Sequence, residues 1–175
     1  MNKKLIIFST LFFSVFFIIS CGGDNSNDNK FIGAAIVSVE TSPKKFDTGD
    51  RTKVKVQISD LHPNGISLKI NIPSNLEYVN GTGVIKIKDQ SFPLSPQSIV
   101  NSNQGLFLVF YMNNSIFDNH TGELFFELEA INPLEYGLIA VDADVDDPAI
   151  DNSVEFSSLN PEFIAEDSVE IEVIG

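Results

Sequence analysis

Apolar and polar positions alternate along most of this chain. Lys53-Val54-Lys55-Val56-Gln57-Ile58 places Val54, Val56 and Ile58 on one side, and Ile66-Ser67-Leu68-Lys69-Ile70-Asn71-Ile72 repeats the pattern. Period-2 alternation rich in β-branched residues predicts half-buried strands. Further strands are predicted at 35–40, 84–88, 106–112, 123–130, 138–145 and 169–174. Between them stand residues that favour turns: Thr48-Gly49-Asp50, His62-Pro63-Asn64-Gly65, Asn80-Gly81-Thr82-Gly83 and Asn132-Pro133. No window longer than two helical turns carries apolar residues at helical spacing. The pattern predicts an all-β sandwich of about 7–9 antiparallel strands. Gly105 to Tyr111 departs from alternation, being apolar on both faces. It reads either as a central strand covered on both sides, with the loop at 89–104 as the candidate cover, or as an exposed adhesive strand. The covered reading is favoured, because exposed apolar strands are selected against.

Ile72-Pro73-Ser74-Asn75-Leu76-Glu77-Tyr78-Val79-Asn80-Gly81-Thr82-Gly83 resembles a stretch of the immunoglobulin-like repeats of bacterial surface proteins. Asp146-Asp147-Pro148-Ala149-Ile150-Asp151-Asn152-Ser153 is similar to their acidic, asparagine-bearing turn before the closing strands. The resemblance spans about residues 45–174. Phe46 to Val84 and Gly105 to Leu128 equally resemble a cohesin-like sandwich. Both resemblances imply an immunoglobulin-like β-sandwich acting as a binding or spacer module. Neither carries over a site residue.

The N-terminus follows a different pattern. Lys3 and Lys4 precede an apolar run from Leu5 to Ile19 that only Ser9, Thr10 and Ser14 interrupt. Its 15 residues match the upper end of a signal-peptide core, about 7–15 residues, and fall short of the roughly 20 that span a bilayer. Ile18-Ile19-Ser20-Cys21 resembles the lipobox of bacterial lipoproteins. That resemblance implies cleavage before Cys21 and diacylglyceryl attachment to its sulfur. Stable anchoring takes more than one acyl chain, each buried methylene contributing about 0.8 kcal/mol. Gly22 to Asn29 holds nothing apolar and reads as a flexible tether. The expected organisation is a signal peptide at 1–20, a lipidated cysteine and tether at 21–30, and the sandwich at 31–175. Gly22, in place of the Asp that marks inner-membrane retention, favours the outer membrane by the same resemblance.

Composition sharpens this picture. Cys21 is the only cysteine in the 175 residues, which excludes an internal disulfide and a zinc site built on several thiolates. The net charge of −13 becomes −15 once Lys3 and Lys4 leave with the signal, and it argues against a nucleic-acid partner. Residues 30–90 carry nine basic and six acidic side chains, whereas residues 91–175 carry sixteen acids and no Lys or Arg. Lys53, Lys55, Lys69, Lys86 and Lys88 take outward positions early, and Glu127, Glu129, Asp142, Asp144, Glu170 and Glu172 take them late. A sandwich that interleaves early and late strands would pair them across strands, at about 0.2–1 kcal/mol per pair. The excess acid leaves an acidic face that repels anionic lipid and attracts basic partners.

No catalytic set emerges. His62 and His120 read as turn residues, no serine sits in a Gly-x-Ser-x-Gly elbow, and neither a phosphate-binding glycine loop nor a metalloprotease motif is present. Asp142, Asp144, Asp146, Asp147 and Asp151 form the one constellation with ion chemistry, since Ca²⁺ takes about six to eight oxygen ligands. The EF-hand glycine and closing Glu are absent, and the favoured reading of Asp142 and Asp144 is a solvated outer face beside Ala140 that runs into a turn. No other cofactor is expected. The resemblances together imply a membrane-anchored envelope lipoprotein that is not an enzyme, with a binding or adhesion module for a protein or glycan ligand. An assembly subunit of a larger envelope complex is the alternative, and a calcium-dependent recognition module the third reading.

Overall fold

The computed structural model describes residues 33–117, 121–145 and 163–175. Among these residues the alternating segments form strands that stack into two sheets. The first sheet runs β1 (Ile36–Ser42), β3 (Arg51–Ser59), β10 (Gly122–Ala130), β6 (Val84–Ile87) and β7 (Gln90–Pro93), with β5 (Leu76–Tyr78) also paired to β10. The second runs β2 (Lys45–Asp47), β12 (Asp167–Ile174), β11 (Leu134–Val145), β4 (Ile66–Ile72), β9 (Gly105–Met112) and β8 (Ser98–Ser102). One helical turn, α1 (Asn114–Phe117), follows β9. Pairings are antiparallel except between β2 and β12, which run parallel. All eight strands predicted from the sequence are present. The additional β2, β5, β7 and β8 raise the described total to twelve, above the seven to nine expected.

Alternation becomes burial once the faces meet. Val54, Val56 and Ile58 on β3 and Leu124, Phe126 and Leu128 on β10 are at most 1% exposed. They pack against Ile66, Leu68, Ile70 and Ile72 of β4 and Leu108 and Phe110 of β9, all fully buried. Phe110 and Phe126 meet across the two sheets with ring centroids 6.2 Å apart. Each such side chain contributes about 1.5–3 kcal/mol on burial, so this shared layer dominates stability.

Close approaches fix two glycines. Gly65, in the His62–Gly65 turn, has φ +97°, and a Cβ there would lie 2.6 Å from the carbonyl oxygen of Met112. At Gly83 a Cβ would overlap the Leu94 carbonyl, where the Leu94 N–H bonds the Gly83 oxygen at 2.9 Å. A side chain at either position would displace backbone.

The doubly apolar strand is β9, and it is covered on both faces as favoured except at Tyr111, which is 47% exposed. Leu106, Leu108, Phe110 and Met112 face the shared core, while Phe107 and Val109 are equally buried on the other side. The cover differs from the one expected. β8, drawn from the 89–104 stretch, pairs beside β9 within the sheet, and it is Phe163 that meets Phe107 edge-on at 5.4 Å.

Candidate functional site

Register places five early cations opposite late acids, as interleaved strands require, and a sixth, Lys55, opposite an early one. Lys55 lies opposite Glu40, Lys53 opposite Glu127, Arg51 opposite Glu129 and Lys86 opposite Glu123 in the first sheet. In the second, Lys69 lies opposite Asp142 and Lys45 opposite Glu172. Most of these register partners also form ion pairs. Lys45 Nζ meets Glu172 at 2.7 Å, Lys55 Nζ meets Glu40 at 2.9 Å, and Arg51 bridges Glu129 at 3.1 Å and Glu127 at 3.3 Å. The hydrogen bonds to Glu129 and Glu127 raise the Arg51 pKa above its usual value. Being exposed, these pairs set strand partnership more than stability.

Two outward residues of the expected pattern are not solvated. Lys69 and Asp142 are each only 5% exposed, which corrects their reading as a solvated face. The cause is the chain at Phe163 to Glu166, which lies against this side of the second sheet. The Ile164 N–H donates to Asp142 Oδ2 at 3.0 Å, and the Glu166 N–H to the Val141 carbonyl at 2.8 Å. Beneath it, Lys69 Nζ contacts Asp142 Oδ2 at 3.3 Å and also bonds Asp144, whose side chain is 53% exposed. Burial disfavours the Lys69 charge, but the hydrogen bond to Asp144 and the attraction of both carboxylates hold its pKa above the usual value. Burial pushes Asp142 up despite the Ile164 N–H and Lys69. Two carboxylates share one ammonium, so the pairing that Asp142 receives does not offset its desolvation. Glu166 is also raised, by partial burial first and then by the charges of Asp142 and Asp144.

Of the five calcium candidates, then, Asp142 and Asp144 surround a lysine. Asp146, Asp147 and Asp151 lie outside the described residues, as do Cys21 and His120. Among the described residues no group of three or more His, Cys, Asp or Glu side chains is disposed to hold a metal ion. His62 sits in its predicted turn, where Nδ1 accepts the Asn64 N–H at 3.2 Å.

The outer face of the first sheet carries the other arrangement with chemical capacity. Phe125 is half-buried at its centre, with Lys53 Nζ over the ring at 4.7 Å from the centroid. Beside it opens a trough of about 390 Å³, walled by Lys53, Val84, Lys86, Ser91 and Glu127. It exists because β10 changes neighbour here, from β6 to β5. The Thr82 hydroxyl closes that junction by donating to the Val79 carbonyl at 2.7 Å and accepting the Glu127 N–H at 3.0 Å. A second depression of about 340 Å³ starts from the same Lys86 and crosses Gln57 and Ser38. An aromatic ring, two ammoniums, a carboxylate and a hydroxyl on an open face can hold a ligand by stacking, charge and hydrogen bonding.

With these geometries established, the two-sheet architecture can be set beside solved structures. The N-terminal domain of the Streptococcus gordonii adhesin Sgo0707 is similar, with a TM-score of 0.54 at 11% identity over 79% of this chain and 32% of that one. The fold is an immunoglobulin-like β-sandwich. The T6 backbone pilin of serotype M6 Streptococcus pyogenes shares the sandwich, with a TM-score of 0.50 at 6% identity over 79% of this chain and 36% of that one. At such identities the likeness is one of fold, and this chain spans about a third of the length of either protein. No family model matches the chain, and no curated protein matches it.

Sequence reasoning placed Lys53 and Lys86 outward in this sandwich but did not single out Phe125. The available signal was Phe125 itself, an aromatic at an outward position beside the inward Phe126. It also left out Glu166, which joins Lys69 and Asp142 only through the fold.

Proposed function

We propose that this chain is a lipid-anchored protein of the bacterial envelope whose sandwich is a non-enzymatic binding or adhesion module. The observation that carries the binding part is the outer face of the first sheet, where Phe125, Lys53 and Lys86 border an open trough. The two solved structures of similar fold come from a protein named as an adhesin and one named as a backbone pilin, and they support a surface role for such a sandwich. The anchoring part rests on the sequence. The charged head, the short apolar core, Ser20 before Cys21 and the apolar-free stretch Gly22–Asn29 support cleavage at Cys21, acylation of its sulfur and a solvated tether. Gly22 after that cysteine supports the outer membrane as destination.

Membrane fractionation of cells making the chain and its Cys21→Ala variant tests the anchoring. The native chain should sediment with membranes and the variant should appear in the soluble fraction. Equal membrane retention of both overturns the lipid anchor. Protease added to intact cells should digest the sandwich if it is displayed outward, and full protection would favour the assembly-subunit reading instead.

A further inference from the structure

Resting on that reading of the sandwich as a binding module, we propose that the outer face of its first sheet binds a uronate-bearing polysaccharide. The site is the trough between Lys53, Phe125 and Lys86.

Charge supplies the first argument. Lys53 faces Glu127 in register, yet the Glu127 carboxylate turns to Arg51 at 3.3 Å and Lys53 lies over the Phe125 ring instead. Among the described residues Lys53 makes no ion pair, and the carboxylate paired with Lys86, that of Glu123, stands 3.9 Å away. In a chain of 24 acids and 11 bases, two loosely held ammoniums on one open trough are a local inversion of sign that suits an anionic ligand. The contact of Lys53 with the ring is exposed, and exposed cation–π contacts are weak because water screens them. A ligand carboxylate therefore draws Lys53 aside at small cost. That movement uncovers the aromatic face for the apolar face of a pyranose.

Shape and hydrogen bonding supply the second. β3 and β10 are hydrogen-bonded on both sides, β3 to β1 and β10, and β10 to β3 on one side and to β5 and β6 on the other. An extended peptide laid along this floor would find no free strand edge for its backbone amides. A sugar brings its own hydroxyls, which Glu127 can accept and which Ser91 and Gln57 can both accept and answer. The depressions on either side of Lys86 continue one another across the sheet, so the surface suits successive residues of a chain. A neutral glycan would leave the Lys53 ammonium without a counter-charge and that of Lys86 with only the distant Glu123, and an anionic bilayer would meet the acidic remainder of the protein.

The test uses the full chain, purified in neutral detergent, over immobilised polygalacturonate with dextran as the neutral control and poly-glutamate as the anionic peptide control. The expected result is retention on polygalacturonate that weakens as salt is raised, with little on either control. Lys53→Gln and Phe125→Leu should each weaken retention about tenfold or more with the melting midpoint unchanged, while Lys44→Gln, an exposed lysine elsewhere, should leave it intact. Preference for poly-glutamate or dextran overturns the proposal, as does retention that survives Lys53→Gln combined with Phe125→Leu. Failure on polygalacturonate by a chain that still adheres to other immobilised glycans or matrix proteins overturns the ligand class and spares the binding module. Failure on every such surface overturns both.

Discussion

Lys69→Met is the most informative single change in the sandwich. Lys69 and Asp142 are 5% exposed, and removing one member of a buried ion pair costs about 3–5 kcal/mol because the other is left charged and unpaired. Two features pull the expected cost to the lower end. Asp144, with its side chain 53% exposed, recovers water when the ammonium goes, and Asp142 keeps the Ile164 N–H at 3.0 Å. A loss of about 3 kcal/mol near neutral pH follows, or a midpoint lower by roughly 6–12 °C. The pH dependence carries a sign. Asp142 in the folded native chain titrates above 3.8, so the stability linked to its protonation is full below that value and is lost as pH rises through the folded pKa. Without Lys69 the folded pKa climbs further, and the loss extends to higher pH. The deficit of the variant relative to the native chain should therefore be largest at neutral pH and shrink as acid protonates Asp142. Urea unfolding followed by circular dichroism, near neutral pH and again in mild acid, measures both quantities. Adding Asp142→Asn to Lys69→Met removes the stranded charge while an amide oxygen can still accept the Ile164 N–H, and it should restore stability to within about 1 kcal/mol of the native chain. A cost below about 1 kcal/mol, an equal cost at both pH values, or no rescue by the second substitution would refute the reasoning.

The Tyr78 hydroxyl is buried without a hydrogen-bond partner among the described residues. Leaving a hydroxyl so costs about 1–3 kcal/mol, so Tyr78→Phe should leave the urea midpoint unchanged or raise it, and a clear loss would reveal a partner. Asp142 and Asp144 are already engaged by Lys69. Millimolar Ca²⁺ should accordingly leave the melting midpoint where it is, and a rise of several degrees would make the 142–151 stretch a cation site.

How much of this was legible in the sequence depends on the length of each element and on what lies over it. β3, β4 and β10 announce themselves by alternation over seven to nine residues. β2 and β5 are three residues each, too short to show a period, and they are strands because a neighbour supplies the ladder. Lys69 was placed on the correct face, but a period reports direction and not exposure. Its burial depends on Phe163 to Glu166, nearly a hundred positions later, arriving over that face. The Phe125 site fails to show for a related reason. Lys53, Phe125 and Lys86 come from three strands whose juxtaposition is a matter of register, and a single sequence states no register between distant strands.

A binding module at the envelope depends on Cys21, because it needs the anchor that holds it there. Mass spectrometry of the N-terminal peptide, from the chain purified out of membranes, tests this most directly. A lipid anchor at Cys21 gives a peptide beginning at that residue and carrying the added mass of a diacylglyceryl group, with residues 1–20 gone. A chain that retains those residues, or begins at an unmodified Cys21, would contradict it.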